Sequence, residues 1–337
     1  MKLDTGLMAA RLEDVGKAAR DAEEFGFAGL WTAEAAHDPF LPLALAAEHT
    51  QRIELGTAIA VAFPRSPLVF AYTAWDLQAM SKGRFILGLG TQVKAHNEKR
   101  FGVKWEHPGP KLREMIQVIH AAWDCWQNGT RPNFVGQFYQ FTLMTPFFNP
   151  GPIPYAKPKI FIAGVNEYMC RLAGELCEGF HVHPFHSIRY LDMVVLPNIR
   201  KGLEKAGRSR DQIQLASTAF VVTGRTQDEI AAAKGAVKQQ IAFYASTPAY
   251  LGVLDVHGWA DTGRKLTELS KLGKWAEMAN LITDEMLEVY AVVARRDDLV
   301  DRLKAKYIGY LDRIGFYFPF QREDAGFWRE VVRAFNG

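Results

Sequence analysis

The chain has 337 residues, 48% of them hydrophobic, and 40 basic against 37 acidic side chains give it a formal charge of +3. That length can bury a large core in one domain, and the near balance of charge, without a long basic run, argues against nucleic-acid binding through a basic surface. Apolar runs are strand-length, well short of the roughly 18 residues that span a bilayer, and the start lacks the long hydrophobic stretch of a signal peptide, so a cytoplasmic protein without membrane contact is expected.

Strand and helix patterns then alternate along the chain. A strand over 3–8 leads to a helix over 12–25, a strand over 27–33 to a helix over 40–49, and a strand over 54–62 to a helix over 67–80. Leu55 to Ala62 is an unbroken apolar run, as expected of a parallel strand buried on both faces. Ser66 and Pro67 make a helix start, because Ser accepts from free amides and Pro suits the first helical position. Leu68, Ala71, Tyr72, Trp75 and Ala79 recur at helical spacing. The next strand, 84–90, ends Gly88, Leu89, Gly90, where the missing side chains let a backbone or a flat ligand approach closely. Helices follow over 110–127, 167–177, 188–205, 226–245 and 321–334, with strands over 159–163, 179–183, 213–222 and 313–319.

Eight strands, each followed by a helix, fit a (β/α)8 TIM barrel spanning 1–337 as a single domain. An open doubly wound sheet is the alternative, but no GxGxxG follows the first strand. Two connections, about 91–158 and 246–312, are far longer than usual and read as insertions over the C-terminal mouth; the first includes the proline-rich stretch Thr145 to Pro154. Cys125, Cys170 and Cys177 are odd in number and lack metal-ligand spacing, which suggests reduced core thiols. His181, His183 and His186 have an HxHxxH spacing but no nearby carboxylate to complete a ligand set, so no metal is expected.

Gly26, Phe27 and Leu30 to Glu34 in the second strand, Gly56 and Thr57, the Arg65, Ser66, Pro67 turn, Ser81 to Arg84, Gly88 to Gly90, Ala163 and Gly164, and Glu178 to Phe180 form an ordered set. In that set the chain resembles the bacterial luciferase-like superfamily of flavin and deazaflavin enzymes, in particular the coenzyme F420-dependent oxidoreductases. The resemblance covers most of residues 1–200, and 246–312 match poorly. It implies a luciferase-like barrel with a flat tricyclic ring at its mouth. A non-proline cis peptide between Ala58 and Ile59 would back the ring. Glu34 would lie near its polar edge, with Gly90, Thr91, His96 and Asn97 beside it. Gly164, Val165 and Asn166 would take the cofactor phosphate, and His183 and His186 would face its tail.

His37 is the leading candidate for proton transfer, with Glu34 as the second, because an imidazole titrates near neutral pH; the other reading is that His37 only pairs with Asp38. Trp31, Phe40, Phe63, Trp105, Phe147 and Phe148 sit at strand ends or on mouth loops and suggest an apolar substrate pocket, with Phe40, Phe63, Trp105 and Phe148 its proposed lining. Two departures argue against a sugar phosphate. Ala35, not His, follows the acidic residue that ends strand two, and Val93 stands near the place of a catalytic glutamate. The resemblance therefore implies an oxidoreductase that exchanges a hydride between carbon 5 of F420 and a small, apolar organic substrate, as a homodimer. An FMN-dependent monooxygenase and a flavin-binding barrel without turnover are the alternatives.

Overall fold

A computed structural model describes residues 1–7, 11–318 and 320–336, with Arg322 described by its backbone only. In chain order its strands are β1 (Lys2–Gly6), β2 (Gly29–Thr32), β3 (Glu54–Thr57), β4 (Ala60–Val61), β5 (Phe85–Gly90), β6 (Phe134–Val135), β7 (Gln140–Phe141), β8 (Lys159–Gly164), β9 (Gly179–Val182), β10 (Gln214–Val222), β11 (Ala291–Val293) and β12 (Arg313–Phe316). Parallel pairing runs β1, β2, β3, β5, β8, β9, β10, β12 and returns to β1, where Lys2, Leu3 and Asp4 lie beside Arg313, Ile314 and Gly315. The closed eight-stranded sheet, with helices around it, is the expected (β/α)8 TIM barrel. The expected strand ends at Met8 and Pro319 lie outside the described residues.

Local chemistry explains the element ends. Ser66 accepts from the Val69 amide at 3.4 Å and Pro67 opens helix Pro67–Met80, which buries Phe70, Ala71, Ala74 and Trp75. Helix Leu12–Phe25 stops at Gly26, whose φ of 92° is open only to a residue without a side chain. The expected strand 54–62 is in fact two: β3 and β4 are separated by Ala58 and Ile59, whose peptide bond is cis.

Alternation along the strands determines what fills the barrel. Low in the interior, the Arg313 guanidinium holds both Asp4 oxygens at 2.8 Å and Glu54 at 2.5 Å, and the Trp31 indole donates to Asp4 at 2.9 Å. Burial opposes the charge on Arg313, but Asp4 and Glu54 outweigh it and raise its pKa. Above that network Trp31 packs with Ile86, Phe161 and Ala216, and its ring meets His181 edge-on at 5.0 Å. Two residues further up each strand, the inward positions are Gly6, Gly88, Ala163, Thr218 and Gly315. On these five strands large side chains below give way to small ones above.

The long connections add to that mouth. The first holds helix Lys94–Lys99, the barrel helix Pro108–Asn128 and the hairpin β6–β7. The helix that precedes the second lies elsewhere than expected. Helix Gln227–Ala245 was expected along the barrel wall, yet it starts just above the end of β10, and Tyr244 near its far end touches His183 and Tyr317. Both residues directly follow the C-terminal ends of barrel strands, so this helix lies over the mouth. The short β11 extends the pairing of β10, Phe220 to Val222 beside Ala291 to Val293, and helix Leu299–Tyr307 leads back down to β12. The three cysteines are buried and unpaired. No helix among the described residues is long and apolar enough to cross a membrane.

Candidate active site

Glycine on β5 allows the chain after β3 to bend inward. A Cβ on Gly88 would lie 1.7 Å from the Thr57 carbonyl oxygen, and one on Gly90 would lie 2.8 Å from the Ile59 side chain. The approach anticipated at these glycines is thus made by the Thr57 backbone at Gly88 and by the Ile59 side chain at Gly90, and Thr57 to Ile59 form a ledge at the mouth. Thr57 fixes the ledge through both its hydroxyl bonds to Gly88, donating to the carbonyl at 2.6 Å and accepting from the amide at 2.9 Å.

Glu34 holds the ledge from outside. Its amide donates to the Ile59 carbonyl at 3.0 Å, and its carboxylate accepts from the Val61 amide at 2.7 Å and from Arg65 at 2.8 and 3.0 Å. Only 6% of the Glu34 side chain is exposed, so the carboxylate is a clamp between strand two, the ledge and the start of the next helix. The other arm of Arg65 reaches Asp38 at 2.9 Å, and Asp38 in turn accepts from the amides of Phe40 and Leu41, capping helix Leu41–His49. Asp38 therefore pairs with Arg65 and not with His37. The His37 ring stands exposed on this loop without a hydrogen bond among the described residues.

Beyond the ledge, Gly90 and Thr91 end β5 at the mouth. Asn97 is fully buried and closes the loop that follows by donating to the carbonyls of Thr91 (2.9 Å) and Val93 (3.1 Å), while its own Oδ1 is buried without a partner. His96, on the same helix, is exposed. On the opposite side Asn166 accepts from the Met169 amide and caps helix Glu167–Leu176, Val165 accepts from the Tyr190 hydroxyl, and Gly164 makes room for Met169.

The three histidines after β8 do not converge. His181 lies in the barrel between Trp31 and Phe161. His183 accepts from the Phe185 amide at Nδ1 (3.1 Å) and faces Tyr244 and Tyr250. His186 turns outward, donates from Nδ1 to the His183 carbonyl at 2.8 Å and packs on Tyr307. Burial holds all three imidazoles low, His181 and His183 at about 3 and His186 at about 4, so they are neutral in ordinary buffers.

Of the aromatic residues expected to line a pocket, Phe63 and Trp105 meet edge-on at 6.0 Å. Phe40 is packed behind the ledge, against Phe70 and beneath the Arg65 guanidinium. Phe148 is 63% exposed on the outside of the barrel, where its carbonyl accepts from Tyr72. The structure therefore does not bring these four together. The mouth residues that sequence reasoning missed are Arg65 as the partner of Glu34, and Tyr244, Tyr250 and Tyr317. The signal for Tyr317 was available: it is inward by alternation from Arg313 and Gly315.

The sequence profile of luciferase-like monooxygenases matches residues 2–312. The chain belongs to the luciferase-like monooxygenase family. An uncharacterized protein of Mycobacterium tuberculosis is 49% identical over 93% of this chain and 92% of its own length. The 5,10-methylenetetrahydromethanopterin reductase of Archaeoglobus fulgidus, more distant, is 28% identical over 84% of this chain and 82% of its own. Among solved structures, the coenzyme F420-dependent tetrahydromethanopterin reductase from Methanopyrus kandleri superposes with a TM-score of 0.75 over 99% of this chain and 96% of that chain, at 19% identity, which establishes the shared fold. Within this luciferase-like chain both departures noted above are loop positions at the mouth: Ala35 gives its carbonyl to Arg100, and Val93 precedes helix Lys94–Lys99.

Proposed function

We propose that this protein is a coenzyme F420-dependent oxidoreductase acting on a small, mainly apolar organic compound. The observation that carries the reading is the Thr57 to Ile59 ledge set beside small inward residues. Small inward residues on five of the strands, with the Thr57 to Ile59 ledge beside them, suit the close approach of a planar tricyclic ring. Relatives whose names include F420-dependent oxidoreductases and a methylenetetrahydromethanopterin reductase support the choice of ring.

Ala58, Ile59, Gly90 and Thr91 would border the ring, with Glu34 and Arg65 fixing the ledge rather than exchanging protons. Gly164 to Asn166 and the loop of His183 and His186 would face the tail. When bound, a deazaflavin gives or accepts a hydride, two electrons at once. The proton that must enter or leave the substrate is the task of the chain, and His37 is the group assigned to it. Its ring is in reach of solvent, so it can be recharged from water between turnovers.

The test is to titrate the purified protein separately with F420 and with FMN, following ligand fluorescence and thermal unfolding. Saturable binding of F420 with a rise in melting temperature is expected. A response to FMN alone would overturn the proposal and favour a flavin monooxygenase.

A further inference from the structure

The mouth has one wall of which the cofactor reading uses only the His183 loop. His183, Tyr317 and Phe220 are inward positions at the tops of β9, β12 and β10, and Tyr244 and Tyr250 come down to them from the end of helix Gln227–Ala245 and the start of the second insertion. The His183 ring meets Tyr244 edge-on at 4.6 Å and lies 4.4 Å from Tyr250. The hydroxyls of Tyr244 and Tyr317 are bonded at 2.7 Å, and Phe220 packs 4.7 Å from Tyr317. We propose that this wall is the substrate-recognition site and that it selects an uncharged, planar carbonyl compound, or the matching alcohol, over anionic substrates. The inference deepens the functional reading above and rests on it for the position of the substrate beside the ring.

Hydrogen-bond accounting supports the class. Because Nδ1 of His183 accepts the Phe185 amide, the ring proton is on Nε2, which has no partner among the described residues. The Tyr250 hydroxyl is likewise uncommitted, whereas those of Tyr244 and Tyr317 are engaged with each other and with Gln240. Two free donors and several aromatic faces match one carbonyl oxygen on a flat apolar body. Burial keeps the donors neutral, pushing Tyr250 up to about 12 and holding His183 at about 3. None of the side chains named in this wall carries a charge. A phosphate or carboxylate seated here would lose its hydration without gaining a counter-charge, and that is strongly unfavourable.

The experiment uses protein loaded with F420 and three probes, benzaldehyde, benzoate and glucose 6-phosphate, with binding followed by titration calorimetry. Benzaldehyde should bind at least tenfold more tightly than either anion. Tyr250→Phe should weaken benzaldehyde severalfold and leave F420 affinity unchanged, and Tyr250→Arg should reverse the preference towards benzoate, a change that a merely structural role would not produce. Equal or tighter binding of benzoate to the unchanged protein, no benzaldehyde binding at roughly 10 mM, or unchanged benzaldehyde binding by Tyr250→Phe each overturns the inference. If F420 itself fails to bind, the cofactor reading falls, and the same preference and its reversal in the protein alone still decide the wall's role.

Discussion

At the scale of single residues, the two acid–base candidates at strand two have separated. Glu34 and His37 are three positions apart, yet one is clamped under Arg65 and the other stands in solvent. A carboxylate that already accepts from Val61 and Arg65 is poorly placed to gain and lose protons, and an exposed imidazole next to the mouth is well placed. His37→Ala should therefore lower kcat by roughly 100-fold or more while leaving F420 affinity nearly intact. Steady-state kinetics at saturating cofactor, with cofactor binding measured separately, checks this, and an unchanged kcat removes His37 from the chemistry. Sequence alone left open whether His37 pairs with Asp38. It could not have settled the point, because the partner that takes Asp38 is Arg65, 27 residues away.

At the scale of elements, the barrel strands were legible because a parallel strand buried on both faces leaves a nearly continuous apolar run. The pieces that escaped are β6, β7 and β11, two or three residues each, too short to show any period. Helix Gln227–Ala245 was placed correctly along the chain and wrongly in space. Its pattern shows that it buries some face; the contacts to His183 and Tyr317 that fix its place come from residues 61 and 73 positions away. The same long reach joins the ends of the barrel, where Arg313 meets Asp4. Asp4→Leu would leave the buried guanidinium short of its main counter-charge and should destabilise the fold by about 3–5 kcal/mol. The double change Asp4→Leu with Arg313→Met should recover most of that loss, and urea denaturation of both variants measures it.

At the scale of the whole molecule, the neutral histidines tie stability to acidity. An unfolded histidine takes up a proton near pH 6.5, whereas burial keeps His186 unprotonated down to about 4 and His181 to about 3. Below pH 6.5 the unfolded chain thus binds more protons than the native one, so stability should fall as the pH drops. The expected loss between pH 7 and pH 5 is on the order of 3 kcal/mol, with His186→Gln flattening part of it. Carboxylates held low by ion pairs, such as Glu175 at about 2, act in a lower pH range and leave this one distinct. Denaturant midpoints at several pH values check the slope.

The junction of β1 with β12 also has a consequence for biogenesis. Strand β1 is made long before its partner β12, with Lys2 beside Arg313, and on its other side it pairs with β2. Until β12 has been made, the nascent chain therefore carries a sheet edge at β1 without its barrel partner. Closure waits for β12, and the unfinished barrel is the stage at which this chain depends most on being shielded from its neighbours.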